Sequence, residues 1–84
     1  MTSPKLVKQN ENSYHIIDSN PSNTLKYFAL IQKTKTGYQV AAIVPKETKS
    51  IQLNTLGITK SSAEPIWIVA VGKQNQLSKY QVID

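Results

Sequence analysis

The chain has 84 residues, with ten lysines, no arginine and five acidic residues, which gives a formal net charge of +5. This length corresponds to one domain with a thin core, and the absence of cysteine excludes a disulfide framework or a thiolate metal cluster. Lysine lacks the planar fork with which arginine reads guanine edges and phosphates, so the charge favours loose binding of an anionic surface over sequence-specific recognition.

We predict a single small β domain over residues 1–84, with a flexible N-terminus at residues 1–4 and a long loop at residues 55–64. The first twenty residues contain no apolar stretch long enough for the core of a signal peptide. The longest apolar run, Ile66 to Val71, is too short to cross a membrane. We therefore expect a cytoplasmic protein with no membrane partner.

Short runs rich in Ile, Val, Tyr, Phe and Trp alternate with clusters of Asn, Ser, Thr, Gly and Lys, a pattern typical of strands and hairpins. Seven strands are predicted, at Lys5 to Gln9, Ser13 to Asp18, Leu25 to Lys33, Tyr38 to Pro45, Lys49 to Asn54, Ile66 to Gly72 and Leu77 to Ile83. A hairpin turn at residues 34–37 joins the third strand to the fourth, and Gly37 can adopt the positive φ that such a turn requires.

The third strand has a competing interpretation as a helix from Pro21 to Thr36. Asn20 would be its N-cap, Pro21 its first helical residue and Gly37 its stop signal. The apolar side chains of this segment fill both faces of such a helix and leave no polar stripe, which favours the strand. Both interpretations stay open at this point.

Two later strands differ in their patterns. Ile51 and Leu53 alternate with polar residues, so the fifth strand should lie near a sheet edge. The run Ile66 to Val71 is apolar at every position, so it should lie in the middle of a sheet or inside a barrel with both faces covered. The fold class is therefore all-β, a small antiparallel meander of about six to seven strands. It forms either a partly open barrel or a sandwich of three and four strands.

Side chains that could perform catalysis are sparse. His15 is the only histidine, and on a strand its side chain points to the opposite face from that of Asp18. The three glycines are isolated, so none of the familiar phosphate-binding loops can form. We predict that the protein is not an enzyme and has no cofactor and no metal site.

Aromatic residues beside lysines are the one combination that indicates a binding surface. Tyr27 follows Lys26 and Tyr80 follows Lys79, so both rings are candidates for stacking, as in proteins that bind single-stranded nucleic acid. Tyrosine is also an ordinary strand residue, and this plainer interpretation competes with the first.

Charges can be assigned to the two ends of the sheets if successive strands alternate in direction. One end then carries Asp18 and Glu47 together with six lysines, which are the candidates for binding an anion or a partner: Lys5, Lys26, Lys46, Lys49, Lys73 and Lys79. The opposite end carries a nearly balanced set: Lys8, Lys33, Lys35, Lys60, Glu11, Glu64 and Asp84. An anionic partner should dock at the first end if it docks anywhere.

Two functions from different classes fit these features. The first is a non-catalytic protein-interaction module, an accessory or inhibitory subunit, that binds a protein partner through a sheet edge or face. The fifth strand and the terminal strand are the expected edges, and a homodimer paired through an edge strand is one form of this function. The alternative is a small β-barrel that binds nucleic acid without sequence preference through lysines and aromatic residues.

Overall fold

The computed structural model describes residues 1–59 and 63–83, which form seven strands in two antiparallel sheets. The strands are β1 (Lys5–Lys8), β2 (Ser13–Ile17), β3 (Leu25–Thr34), β4 (Gly37–Pro45), β5 (Ser50–Gln52), β6 (Ile66–Gly72) and β7 (Gln81–Ile83). One sheet has the order β1-β2-β5 and the other β4-β3-β6-β7. The all-β prediction is confirmed as a partly open sandwich, and the described strands form no closed barrel.

The strands alternate in direction along the chain, but sequence neighbours do not always pair. β2 pairs with β5, and β3 pairs with β6, so the chain passes three times from one sheet to the other. The spatial order therefore differs from a simple meander. Because every pairing is antiparallel, the connections still gather at two ends of the sandwich.

β3 is an internal strand, so the helix interpretation of residues 21–36 is wrong. Its backbone is paired with β4 on one side and with β6 on the other, and its side chains alternate between the core and the outward side of the sheet. The predicted hairpin is confirmed, with β3 ending at Thr34 and β4 beginning at Gly37. Gly37 has a φ of +145°, a conformation that a side chain at this position would strain.

The core lies between the two sheets. Leu30, Leu53 and Ile68 have no exposed surface there. In the connection after β5, the Ile58 amide donates to the Leu53 carbonyl at 2.9 Å, and both side chains are buried in the core. The predicted loop at 55–64 begins with these turns, and its residues Lys60, Ser61 and Ser62 lie outside the described ones. Residues 1–59 and 63–83 contain no helix that could cross a membrane.

The predicted sheet positions agree with the observed topology. β5 and β7 are edge strands, as expected, and β6 lies inside its sheet between β3 and β7. The other two edges are β1 and β4, and β4 is the longest of the four, with nine residues.

The last strand is shorter than predicted, because a serine interrupts the pairing. Leu77 makes only an isolated bridge with Val71, and the strand itself begins at Gln81. Between them Ser78 is buried, and its Oγ accepts the Ala70 amide at 2.9 Å. Its hydroxyl thus takes the place of a carbonyl in the ladder.

The N-terminal segment, which we expect to be flexible, makes specific hydrogen bonds. The Thr2 amide donates to Asn20 Oδ1 at 2.8 Å, and Asn20 Nδ2 donates to the Thr2 carbonyl at 2.7 Å. Ser3 Oγ donates to the Lys79 carbonyl at 2.8 Å, and Pro4 is buried. These bonds place residues 2–4 beside the end of the sandwich where β1 begins.

Candidate functional site

The outward side of the four-stranded sheet is apolar on all four of its strands. On β3, for example, Phe28 and Leu30 point into the core, so the alternate residues Ala29 and Ile31 point away from it. We call this surface the outer apolar face. It consists of Tyr27, Ala29, Ile31, Tyr38, Val40, Ile43, Trp67, Val69, Val71, Tyr80 and Val82.

The strand register aligns these side chains in rows across the sheet. Ile31 pairs with Val40 on one side and with Trp67 on the other, and Trp67 pairs in turn with Val82. Ile43, Ala29 and Val69 form the next row. Side chains opposite each other on one sheet face lie about 5 Å apart, so the rows make one continuous surface.

A bulge in β4 brings both of its exposed aliphatic residues to this surface. Leu30 pairs with Ala42, whereas Ile31 pairs with Val40, so Ala41 is an extra residue in the ladder. Val40 and Ile43 are three positions apart and would point to opposite faces of a regular strand. The bulge changes the alternation, and both residues face outward.

Part of the outer apolar face is packed by its own side chains, and part is open to water. Ala29, Val69 and Val71 are buried, with Tyr27 and Ile31 packed against them. By contrast, three side chains of β4 are the most exposed large apolar groups among the described residues: Tyr38 at 67%, Val40 at 60% and Ile43 at 58%. No further layer of the described chain covers them.

Trp67 lies between two tyrosines on this face. Its ring centroid is 5.6 Å from that of Tyr38 and 6.4 Å from that of Tyr80, and both ring pairs are tilted. These distances are in the favourable range for aromatic pairs, each of which contributes about 0.5–1.5 kcal/mol beyond its buried area. The three rings form one row of aromatic contacts across the sheet.

The predicted stacking residues Tyr27 and Tyr80 both lie on the outer apolar face, but in different places. Tyr27 is half-buried opposite Val71, with Lys26 Nζ 5.7 Å from its ring centroid. Tyr80 is exposed beside Trp67. Among the described residues, a lysine Nζ lies near only one of the two rings, that of Tyr27, and the stacking role of both rings stays a prediction.

The six candidate lysines gather at one end of the sandwich, which we call the lysine end: Lys5, Lys26, Lys46, Lys49, Lys73 and Lys79. Lys5 is the first residue of β1, and Lys26 is the second residue of β3. Lys73 directly follows β6, and its amide donates to the Thr24 carbonyl at 3.0 Å. The start of β3 and the end of β6 are therefore adjacent.

The other three lysines lie in connections that reach the same end. In the link between β4 and β5, Lys46 Nζ donates to the Ser22 carbonyl at 2.8 Å, and the Lys49 carbonyl accepts the Ile16 amide at 2.7 Å. The Lys79 carbonyl accepts the hydroxyl of Ser3, just before β1. This placement agrees with the predicted charge distribution, while the binding role of the lysines stays a prediction.

At the lysine end the lysines greatly outnumber the carboxylates, whereas at the opposite end the two kinds of charge are nearly equal in number. At the lysine end Asp18 Oδ1 accepts Asn20 Nδ2 at 2.6 Å. At the opposite end Lys8 Nζ lies 3.8 Å from Glu11 Oε1. Lys60 and Asp84, also assigned to that end, lie outside the described residues. The described part of the molecule is thus electrically asymmetric along its strands.

His15 lies apart from any acidic partner in the ladder. It is half-buried on the outward side of β2, with Val7 and Ser50 as its cross-strand neighbours. Among residues 1–59 and 63–83, no three His, Cys, Asp or Glu side chains are close enough to hold a metal ion. The surfaces that remain as candidates are the outer apolar face and the lysine end.

Sequence reasoning missed the β4 side chains of the outer apolar face. The signal that pointed toward this surface was the uninterrupted apolar run of β6, which requires cover on two sides. Comparison with protein-family models, with curated proteins and with solved structures found no match for this chain.

Proposed function

We propose that this protein is a non-catalytic interaction module, an accessory or inhibitory subunit, that binds a protein partner through the outer apolar face. The observation that carries the proposal is the two-sided apolar character of β6. Its inward side chains are covered by the three-stranded sheet, while Trp67 on its outward side borders an open surface. Contiguous exposed apolar surface of this kind is characteristic of sites that bind another macromolecule.

The composition of the face supports a protein as the partner. Tyrosine and tryptophan are enriched at the centres of protein interfaces, where rigid rings supply contact area at low entropic cost. Trp67 with Tyr38 and Tyr80 provides such a centre. The long edge of β4 adjoins it and offers backbone groups to an added strand.

A capture experiment with matched variants tests this proposal. Val40→Lys adds one charge to the outer apolar face, and Gln52→Lys adds the same charge to an exposed position of β5. We expect a protein partner to be recovered from the native cells with wild type and with Gln52→Lys, and to be lost with Val40→Lys. Recovery of the same partner with all three baits would refute binding through this face.

Nucleic-acid binding is the second candidate function, and the gathering of the lysines favours it. The lysine end presents six cations, and Lys26 also lies near the ring of Tyr27. Such a surface would follow phosphates without reading bases. This function would centre on the lysine end, and it shares only Tyr27 with the outer apolar face.

Titration with single-stranded and duplex oligonucleotides at several salt concentrations tests the second function. The logarithm of the affinity should fall with the logarithm of the salt concentration, with a slope of about 0.9 per phosphate contact on duplex DNA and about 0.7 on single strands. Lys73→Gln should reduce this slope, whereas Lys35→Gln, at the opposite end, should leave it unchanged. An absence of binding at low salt would eliminate the function.

A further inference from the structure

We propose that the outer apolar face takes a second copy of this chain, in a two-fold dimer whose sheets pack face to face with antiparallel strands. This inference rests on the proposed function, because it names an occupant of the same face. Three features of the described residues lead to it: the size of the face, its lack of charge at the centre and the uneven charge along the strands.

The area of the face is close to what a dimer needs. Neighbouring strands lie about 4.8 Å apart and each residue advances about 3.4 Å, so strands of these lengths cover roughly 470 Å² in projection. Two such faces contribute roughly 950 Å² before the relief of the side chains is counted, and a specific interface needs about 1,000 Å² in total. The protruding rings of Tyr38, Trp67 and Tyr80 make the accessible surface larger than this projected area.

The chemistry of the face suits contact with its own copy. A two-fold interface brings the same surface together from both sides, so any charge at its centre meets its like. The outward positions of β4, β6 and β7 carry no charged side chain among the described residues. The lysines of β3 lie at the two ends of the face: Lys26 Nζ is 5.7 Å from the Tyr27 ring centroid at one end, and Lys33 lies at the opposite border, beside Tyr38. From that position its aliphatic stem can lie along the face while the ammonium group stays in water.

The charge distribution selects one orientation of the two sheets. Packed sheets keep their strands roughly aligned, so the lysine ends either coincide or lie at opposite ends of the dimer. Coincidence would bring twelve lysines together. In the antiparallel arrangement they are separated by about the length of β3, roughly 33 Å, which exceeds the screening length of about 8–10 Å in physiological salt.

The two-fold axis of this dimer runs in the interface and across the strands. β4 of one copy then lies over β4 of the other, and the turn before Gly37 lies over the partner copy's Pro45. A dimer with parallel strands places β4 over β7 instead. Side-by-side pairing through the β4 edges, a third arrangement, leaves Trp67 uncovered. These geometries give different experimental results.

Sedimentation equilibrium of the purified full chain provides the first test. We expect the mass of two chains at high concentration and of one on dilution. Ile43→Lys and Val82→Lys should each weaken the dimer by at least about a hundredfold, because each substitution occurs twice in the interface. Gln52→Lys, on the other sheet, should change it by less than about threefold. Circular dichroism verifies that each variant folds.

Fluorescence of Trp67 separates face contact from edge contact, since it is the only tryptophan of the chain. Its emission should move to longer wavelength as the dimer dissociates. An unchanged emission, or a dimer weakened by Ile43→Lys but not by Val82→Lys, would overturn the face-to-face arrangement.

Introduced cysteines test the orientation, because the chain has none of its own. Thr36→Cys and Pro45→Cys proteins, mixed and oxidised, should form the mixed disulfide in preference to either homodisulfide. Preferred homodisulfides, or no disulfide from a dimeric sample, would overturn the antiparallel arrangement. A wild-type chain that stays monomeric overturns the dimer itself but leaves the proposed protein partner intact, because that proposal is tested by the captured partner.

Discussion

The outward sides of the two sheets follow the same alternating pattern but present different chemistry to water. On the three-stranded sheet the outward positions are mostly polar: Lys5, Val7, Ser13, His15, Ile17, Ser50 and Gln52. On the four-stranded sheet they are almost all apolar, from Tyr38 on one edge strand to Val82 on the other. The first is the usual solvated face of an antiparallel sheet, and the second resembles a sheet covered on both sides.

The four-stranded sheet therefore has more apolar residues than the core of the sandwich requires, and the extra ones lie on its outward side. The inward sides of both sheets already supply the core between them. Val69 and Val71 contribute nothing to that core and form a separate cluster. No described element covers this second apolar layer, and that is the observation on which the proposed interaction surface rests.

The largest expected effect is on stability, at the packed centre of the outer apolar face. Val69 is only 1% exposed although it points away from the sandwich. Val69→Asp places an unpaired carboxylate there and should lower the free energy of unfolding by about 3 kcal/mol or more. His15→Asp, on the outward side of β2, should cost less than about 1 kcal/mol. Urea unfolding measures both, and equal losses would mean that the two faces are packed alike.

A smaller effect is expected in the aromatic row. Tyr38→Ala removes the ring 5.6 Å from Trp67 and should lower stability by about 0.5–1.5 kcal/mol. It should also shift the Trp67 emission to longer wavelength, since that ring becomes more exposed. Ile17→Ala, which trims an exposed apolar side chain on the other sheet, should leave the emission unchanged. A similar shift in both variants would mean that the emission of Trp67 does not depend on its contact with Tyr38.

The strands and the all-β class could be predicted from the sequence because their signals are local, whereas the choice between barrel and sandwich stayed open. Alternation over a few residues marks a strand, and the unbroken run at Ile66 to Val71 indicates an internal one. The lysine end followed from alternating strand directions alone. It did not depend on which strands pair, so the passage of β5 and β6 into different sheets left it unchanged.

The outer apolar face could not be predicted, because it depends on pairing between distant segments. The partnership of β3 with β6 joins residues about forty positions apart and also decides between strand and helix at residues 21–36. The bulge at Ala41 reverses the alternation within β4, so a regular pattern assigns Val40 and Ile43 to opposite sides. The last strand begins at Gln81 and not at Leu77, and this late start depends on one hydroxyl, that of Ser78.

The smallest expected effect compares two exposed aliphatic residues of similar size. Val40 is 60% exposed and Ile17 is 49% exposed, so Val40→Thr and Ile17→Thr should each change stability by no more than about 0.5 kcal/mol. Their surroundings differ, since Val40 pairs with Ile31 in a continuous apolar row while Ile17 pairs with Lys5. Val40→Thr should therefore shorten retention on a hydrophobic-interaction column, and Ile17→Thr should not. Equal shortening would mean that retention depends on individual exposed side chains, and the contrast between the two faces would then lose its functional meaning.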